Sequence, residues 1–314
     1  MAALANEARR TDDDSRMPPF LAAMRPHQWV KNLLVLAPLF FTKLVFSATA
    51  WLEVGLAFAS FCLAASSIYL LNDIIDRHED ALHPKKRLRP IASGALPVGV
   101  ARVQLVATVG LAATIALAVP AHDGQSPFWW WPAAYLTLNL LYSFWLKKLV
   151  VVDCMCIALG FQLRVQAGAA AIGVAASHWL ILCTFFFALF LAFCKRYEEV
   201  AKQGEAAGRT RATMDDYSAA FLNMMIGPLA ALSILSYALY TVSEETYRRH
   251  GTYALMYTIP IVTYGVFRYL FLVYRKSEGG DPSRLLFRDA PLLISGIFYA
   301  AVVLLVLQGA NVAK

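Results

Sequence analysis

The chain has 314 residues, of which 59% are hydrophobic and only 16% charged, and its formal net charge is +7. Soluble domains carry roughly 25% charged residues, so this composition excludes an ordinary water-soluble protein and points to the bilayer. In a membrane chain a basic balance reflects lysine and arginine kept on the cytoplasmic side, which argues against nucleic acid as a partner.

The first nineteen residues are polar and close on Pro18-Pro19, with no apolar core of a removable signal peptide; residues 1–19 are expected to form a disordered cytoplasmic tail. Residues 20–314 are expected to form one integral membrane domain. Apolar runs lie near 29–46, 51–71, 98–120, 129–146, 149–172, 177–194, 219–242, 253–274 and 290–309. Each is long enough to cross a hydrocarbon core of roughly 30 Å, so the expected fold is all-α, a polytopic bundle of about nine transmembrane helices. With the N-terminus inside, the inner segments collect twenty lysines and arginines, and the outer ones only Lys43, Arg248, Arg249 and Lys314. That asymmetry places the N-terminus in the cytoplasm and the C-terminus outside. The five cysteines lie in or beside apolar runs and imply neither a disulfide framework nor a metal cluster.

The first span opens on Arg25-Pro-His-Gln28-Trp-Val-Lys31-Asn32, with Lys31 either functional or reaching back to the interface. The second runs directly into Asn72-Asp73-Ile-Ile-Asp76-Arg-His-Glu-Asp80. If the helix continues, Asp73, Asp76 and Asp80 share one face over about two turns. Stacked carboxylates repel unless a cation neutralises them, and hard oxygen ligands suit Mg²⁺, which completes its shell with water and substrate phosphates. The plainer alternative is a solvated acidic helix end answered by Arg77 and Lys85. The next loop holds Lys85, Lys86, Arg87 and Arg89 between Pro84 and Pro90, which forbid a continuous helix. Its cations suit phosphate groups or anionic lipid headgroups. An acidic cluster beside a basic one argues for a phosphorylated substrate bridged by metal.

Tyr142 and Lys147 close the fourth span. Asp153 and Arg164 fall in the fifth, about 16 Å apart along a helix axis, so each needs a partner elsewhere or an aqueous cavity. The sixth ends in Lys195-Arg196-Tyr197-Glu198-Glu199, a candidate second anion or metal subsite if the helices ring a common cavity. Arg268 is either a pathway residue or an interhelical tie.

Asn72-Asp73-x-x-Asp76-x-x-x-Asp80 resembles the first aspartate motif of the UbiA superfamily of intramembrane prenyltransferases. Where that superfamily carries a second aspartate-rich motif, this chain has Lys195-Arg196-Tyr-Glu198-Glu199. It is similar to one branch, the decaprenyl-phosphate phosphoribosyltransferases, in Arg25-Pro26-x-Gln28-Trp29-x-Lys31-Asn32, in His83-Pro84-x-Lys86-x-x-Arg89-Pro90-Ile91-Ala92, in Gly160-Phe161-x-Leu163-Arg164 and in Lys195-Arg196. The resemblance implies a nine-helix bundle in a bacterial inner membrane with a cytoplasmic Mg²⁺–diphosphate site. It also implies transfer of 5-phosphoribose from phosphoribosyl pyrophosphate to a polyprenyl phosphate, for a cell-envelope glycolipid precursor. Asp73, Asp76 and Asp80 would then hold the metal, with Asn72 beside them. Gln28, Lys31, Asn32, Lys85, Lys86, Arg87, Arg89, Tyr142, Lys147, Arg164, Lys195, Arg196 and Glu198 would bind substrate. The competing readings are prenylation of an aromatic acceptor, disfavoured by the basic Lys195-Arg196 patch, and a transporter for phosphorylated solutes. A homo-oligomer is compatible with all three, because helix faces that meet lipid and faces that meet subunits look alike.

Overall fold

The computed structural model describes residues 17–84, 86–124, 126–203, 217–276, 285 and 288–312; Lys85, most of the expected tail and most of the second long inner loop lie outside the described residues. Among the described residues the regular structure is entirely helical. Helices α1 (Pro19–Met24), α2 (Ala37–Phe40), α3 (Ala48–Ile75), α4 (Arg77–Leu82), α5 (Val98–Ala118) and α6 (Trp130–Phe144) are followed by α7 (Val152–Ala171) and α8 (His178–Gln203). Then come α9 (Ala219–Val242), α10 (Glu244–His250), α11 (Ile259–Lys276) and α12 (Ala290–Val312). Among the described residues six segments are long and apolar enough to cross a membrane: α3, α5, α7, α9, His178–Ala201 and Ala254–Arg275.

All nine apolar runs are helical, but the first is not one continuous α-helix. Pro26–Leu36 is a 3₁₀ segment, and α2 follows it. Pro38 offers no N–H to the Leu34 carbonyl, which accepts from the Ala37 amide instead, one residue earlier than an α-helix requires.

The chain divides into two compact units, Met1–Ser143 with Leu163–Ala175, and Phe144–Gln162 with Ala176–Lys314. Helix α7 therefore lends its first half to the second unit and its second half to the first. In the first unit α3 packs on α5 through small side chains. Ala50, Ala57, Ala64 and Ala65 of α3 and Ala112 and Ala116 of α5 are all buried, which lets the backbones approach closely. Ser60 Oγ donates across that seam to the Ala112 carbonyl at 2.9 Å. The opposite face of α5 exposes Val103, Val106 and Leu117, as a lipid-facing stripe would. Gly168 of α7 is obligatory: a Cβ there would stand 1.8 Å from the Val35 carbonyl oxygen of the 3₁₀ segment.

In the second unit Phe190, Phe193, Leu222, Ile226, Leu272 and Val273 form the centre of a core contributed by α8, α9 and α11. Arg268 of α11 grips Asp289 with Nε at 3.0 Å and Nη2 at 2.8 Å, and Asp289 also accepts from the Leu292 amide at the start of α12. Arg268 is thus an interhelical tie.

Candidate functional site

Helix α3 carries Asp73 in its last turn and stops at Ile75. Asp76 leaves the helical region (φ −84°, ψ 5°), and α4 restarts the chain in a new direction with Asp80 on it. The amides of Asp76 and Asp80 stay bonded to the carbonyls of Asn72 and Asp76, each at 2.8 Å, so the break is a kink and not an unravelling. The expectation of one uninterrupted face is therefore modified: Asp73 and Asp80 are brought together, while Asp76 is half-buried at the kink.

Three cations cover the two acids. Arg89 Nη1 lies 3.1 Å from Asp73 Oδ1 and 2.5 Å from Asp80 Oδ2, so one guanidinium nitrogen bridges both carboxylates. Arg25 Nη2 reaches Asp73 Oδ1 at 2.6 Å, and Lys86 Nζ stands 3.7 Å from Asp80 Oδ1. The carboxylates are 2% exposed, against 23% for Arg25, 28% for Arg89 and 42% for Lys86: the acids form a floor and the cations its cover. Arg25 adopts the left-handed backbone (φ 53°) between α1 and the 3₁₀ segment, with its guanidinium 5.1 Å from the Tyr69 ring centre. Arg77, expected to answer the acids in the plainer reading, turns to the Ile74 carbonyl at 3.0 Å. Arg87 is exposed in the basic loop, and the Lys86 amide is fixed by His83 Nδ1 at 3.3 Å.

A second polar cluster of the first unit surrounds Arg164, which is 7% exposed. Its Nε donates to Asn32 Oδ1 at 2.7 Å, its Nη2 to the Tyr135 hydroxyl at 3.0 Å, and the guanidinium lies 4.6 Å from the Tyr135 ring centre. Asn32 is fully buried and turns its amide to Cys62 Sγ at 3.3 Å. Gln28 and Lys31 are half-buried in the same 3₁₀ segment.

In the second unit Arg196 is enclosed, not presented to a phosphate. It is 1% exposed, its Nε meets Asp153 Oδ2 at 2.7 Å, and its Nη1 pairs with Glu199. Tyr217, beyond the second long polar loop, donates to Asp153 Oδ1 at 2.7 Å. Burial and that bond push the Tyr217 phenol above its ordinary range, so it stays protonated. Asp153 and Arg164 each find a partner away from the other, as their separation along α7 requires. Glu198 is buried, while Lys195 is half-exposed with Nζ 3.9 Å from Glu199 Oε1. Tyr142 and Lys147 are half-buried near the junction between α6 and α7.

Sequence reasoning assigned no role to Arg25, Tyr135 or Tyr217. Arg25 had a signal, a cation before a proline at the foot of a span. The tyrosines had none, because an aromatic residue near a membrane interface is unremarkable in sequence.

Among the described residues no three acids, imidazoles or thiols converge on one point. Two carboxylates do converge on one cationic atom, Arg89 Nη1. Hard, buried oxygens aimed at a single positive charge fit a divalent cation that draws its remaining ligands from phosphate and water.

The UbiA prenyltransferase family model matches residues 35–290. A protein of Corynebacterium glutamicum named decaprenyl-phosphate phosphoribosyltransferase is 36% identical over 294 residues, covering 90% of this chain and 86% of the relative. One of the same name from Mycobacterium tuberculosis is 30% identical, covering 90% of this chain and 91% of the relative. The solved structure of a UbiA homolog from Archaeoglobus fulgidus bound to GPP and Mg²⁺ superposes with a TM-score of 0.67 at 19% identity, covering 92% of this chain and 99% of that one. The fold, the aspartates at the kink below α3 and the reach of these matches agree, and the chain belongs to the UbiA prenyltransferase family.

Proposed function

We propose that the chain transfers 5-phosphoribose from phosphoribosyl pyrophosphate to a polyprenyl phosphate, releasing diphosphate, in a bacterial inner membrane and for a cell-envelope glycolipid. One observation carries the reading: Asp73 and Asp80 lie buried under Arg25, Lys86 and Arg89, an acid floor beneath a phosphate-binding cover. The relatives' names supply the substrate classes.

Asp73 and Asp80, with Asp76 at the kink, would hold Mg²⁺, which when bound offsets the charge of the diphosphate leaving group. Arg25, Lys86, Arg87 and Arg89 bind the donor's phosphates, the arginines by planar, paired contacts, and Lys85 belongs to the same basic loop. Asn72 anchors the kink through its carbonyl and so sets where Asp76 stands. The acceptor phosphate is already an anion, so no general base is required. One of its oxygens attacks the anomeric carbon as the bond to diphosphate breaks, through an oxocarbenium-like state with inversion. Both the new bond and the departing electron pair are accounted for without a proton. Gln28, Lys31, Asn32, Arg164, Tyr142, Lys147, Lys195, Arg196 and Glu198 divide the remaining work. In that division Arg164, oriented by Asn32 and Tyr135, is a cation at a polar point on apolar helices, suited to a lipid phosphate. Arg196 and Glu198, both buried, support this end of α8 from within; Lys195, more exposed beside them, is the group of that stretch suited to a phosphate.

The test is purified protein in detergent with radiolabelled phosphoribosyl pyrophosphate, polyprenyl phosphate and Mg²⁺. Label is expected in the lipid, and Asp73→Ala is expected to abolish it while the protein still elutes as a folded species. An unlabelled lipid, together with turnover of a prenyl diphosphate and an aromatic acceptor in a parallel reaction, would replace this reading by aromatic prenylation.

A further inference from the structure

Between α6 and α7 the chain reads Leu146-Lys147-Lys148-Leu149-Val150-Val151-Val152-Asp153. Val151 has φ 69°, in the left-handed region, and the Val152 amide bonds the Val150 carbonyl at 2.8 Å, closing a three-residue turn around it. A β-branched side chain is the type least suited to that backbone, which costs a non-glycine residue about 1–2 kcal/mol. Three consecutive valines do not choose such a turn by themselves. It persists only where its surroundings over-determine it.

Backbone bonds flank the turn, from the Asp153 amide to the Leu149 carbonyl at 3.0 Å and from the Met155 amide to the Val151 carbonyl at 2.9 Å, and one side-chain hydroxyl grips its centre. Tyr217, 3% exposed, accepts a hydrogen bond from the Val151 amide at 2.7 Å and donates its own proton to Asp153 Oδ1 at 2.7 Å. Asp153 in turn accepts from the Cys154 amide at 2.8 Å and from Arg196 Nε at 2.7 Å. The strained turn, the start of α7, the inner end of α8 and the approach to α9 therefore meet at the phenol.

We infer that Tyr217 is a positioning residue whose hydroxyl holds the Val151 turn and thereby sets the direction in which the preceding Lys147 segment is presented. The role given to Lys147 rests on the phosphoribosyl-transfer reading; the turn and its hydroxyl rest on geometry alone.

The decisive experiment pairs Tyr217→Phe with Val151→Gly. Removing the hydroxyl is expected to raise KM for a phosphorylated substrate about tenfold, the loss of a well-placed cation contact, with kcat less affected. Glycine accepts φ 69° without strain, so Val151→Gly on the Tyr217→Phe background is expected to restore KM to within a few-fold of wild type. A tyrosine that only packs helices together would not be rescued by a change at position 151. An unaltered KM in Tyr217→Phe, or a defect that Val151→Gly leaves in place, overturns the inference. If Tyr217→Phe alone does not accumulate as folded protein, recovery in the double variant supports it and failure to recover overturns it. If the wild-type chain labels no lipid, the functional reading falls by itself. Hydrogen exchange then decides: Tyr217→Phe must unprotect Val150–Asp153 selectively, and unchanged protection there overturns the inference.

Discussion

At the scale of single residues, the centre of the candidate site is one bridging guanidinium. Arg89 stands where Asp73 and Asp80 converge, so it is both the counter-ion of these acids and, in the proposed reaction, a ligand for phosphate. Replacing it with glutamine leaves two buried carboxylates with less positive charge. Metal binding then no longer competes with a charge-assisted hydrogen bond worth roughly 1.5–3 kcal/mol. Arg89→Gln is therefore expected to bind Mn²⁺ about tenfold more tightly or better, read by electron paramagnetic resonance of the free ion, while its affinity for pyrophosphate falls. An unaltered Mn²⁺ affinity would remove the metal from this pair of acids. The other ion pair behaves differently. Asp153 and Arg196 are both 2% exposed, and Asp153→Ala removes the carboxylate on Arg196 Nε while the pairing with Glu199 stays. A loss of about 1.5–3 kcal/mol, the worth of a hydrogen bond to a charged group, is expected, seen as a lowered thermal midpoint in detergent. The acids at 73, 76 and 80 were legible because carboxylates at the end of a membrane helix are costly without a purpose. Their arginine partners were less so, since which of several nearby cations closes on an acid is decided by how the loop folds back.

At the scale of elements, the apolar runs foretold where helices form, and local chemistry decided what kind. Pro38 denies the Leu34 carbonyl its usual donor at the point where the 3₁₀ segment of the first run gives way to α2. No comparable signal marked the kink at Asp76, where Asn72-Asp-Ile-Ile-Asp-Arg reads as good helix, so periodicity placed all three acids on one face and the structure brings only two together. The 3₁₀ segment owes its place to Gly168. Gly168→Ala forces a methyl onto the Val35 carbonyl and is expected to cost about 1–3 kcal/mol, checked by thermal denaturation; an unshifted midpoint would mean that α7 moves aside freely. Helix α10 is built from its own ends, with Ser243 capping the Thr246 amide, Glu244 and Glu245 in its first turn paired to Arg248 and Arg249, and Gly251 (φ 73°) closing it. His250 is half-buried there, and burial together with the adjacent Arg249 pushes its imidazole below the ordinary value of 6.5. The folded state thus favours the neutral ring, and stability from this group is complete above that ordinary value and declines as pH falls below it. Amide protection over 244–258, corrected for the fall of intrinsic exchange with pH, is expected to weaken between pH about 7.5 and about 5.5 in wild type and to change less in His250→Gln. Equal weakening in both would assign the effect to another group.

At the scale of the whole molecule, charge remains the only guide to orientation. The fold was legible from hydropathy because every backbone polar group in a bilayer must be satisfied within its own segment, which leaves the helix as the answer to each apolar run. Sidedness is a different kind of information, carried by where lysine and arginine stop. The basic loop that covers Asp73 and Asp80 belongs to the rich side of that distribution, and the Arg248–Arg249 pair of α10 to the poor one. The proposed donor is a soluble, highly charged metabolite of the cytoplasm, so function and orientation stand or fall together. A membrane-impermeant maleimide applied to Arg248→Cys is expected to label intact cells. The same reagent on Arg87→Cys is expected to label only inverted vesicles. Both positions are exposed, and among the native thiols Cys62, Cys154, Cys156 and Cys194 are buried, which keeps the background low. The reverse pattern would put the acid floor and its cationic cover on the outer face, where a cytoplasmic sugar donor does not reach. Phosphoribosyl transfer would then fail on topology alone, however well Asp73, Asp80 and Arg89 are arranged to perform it.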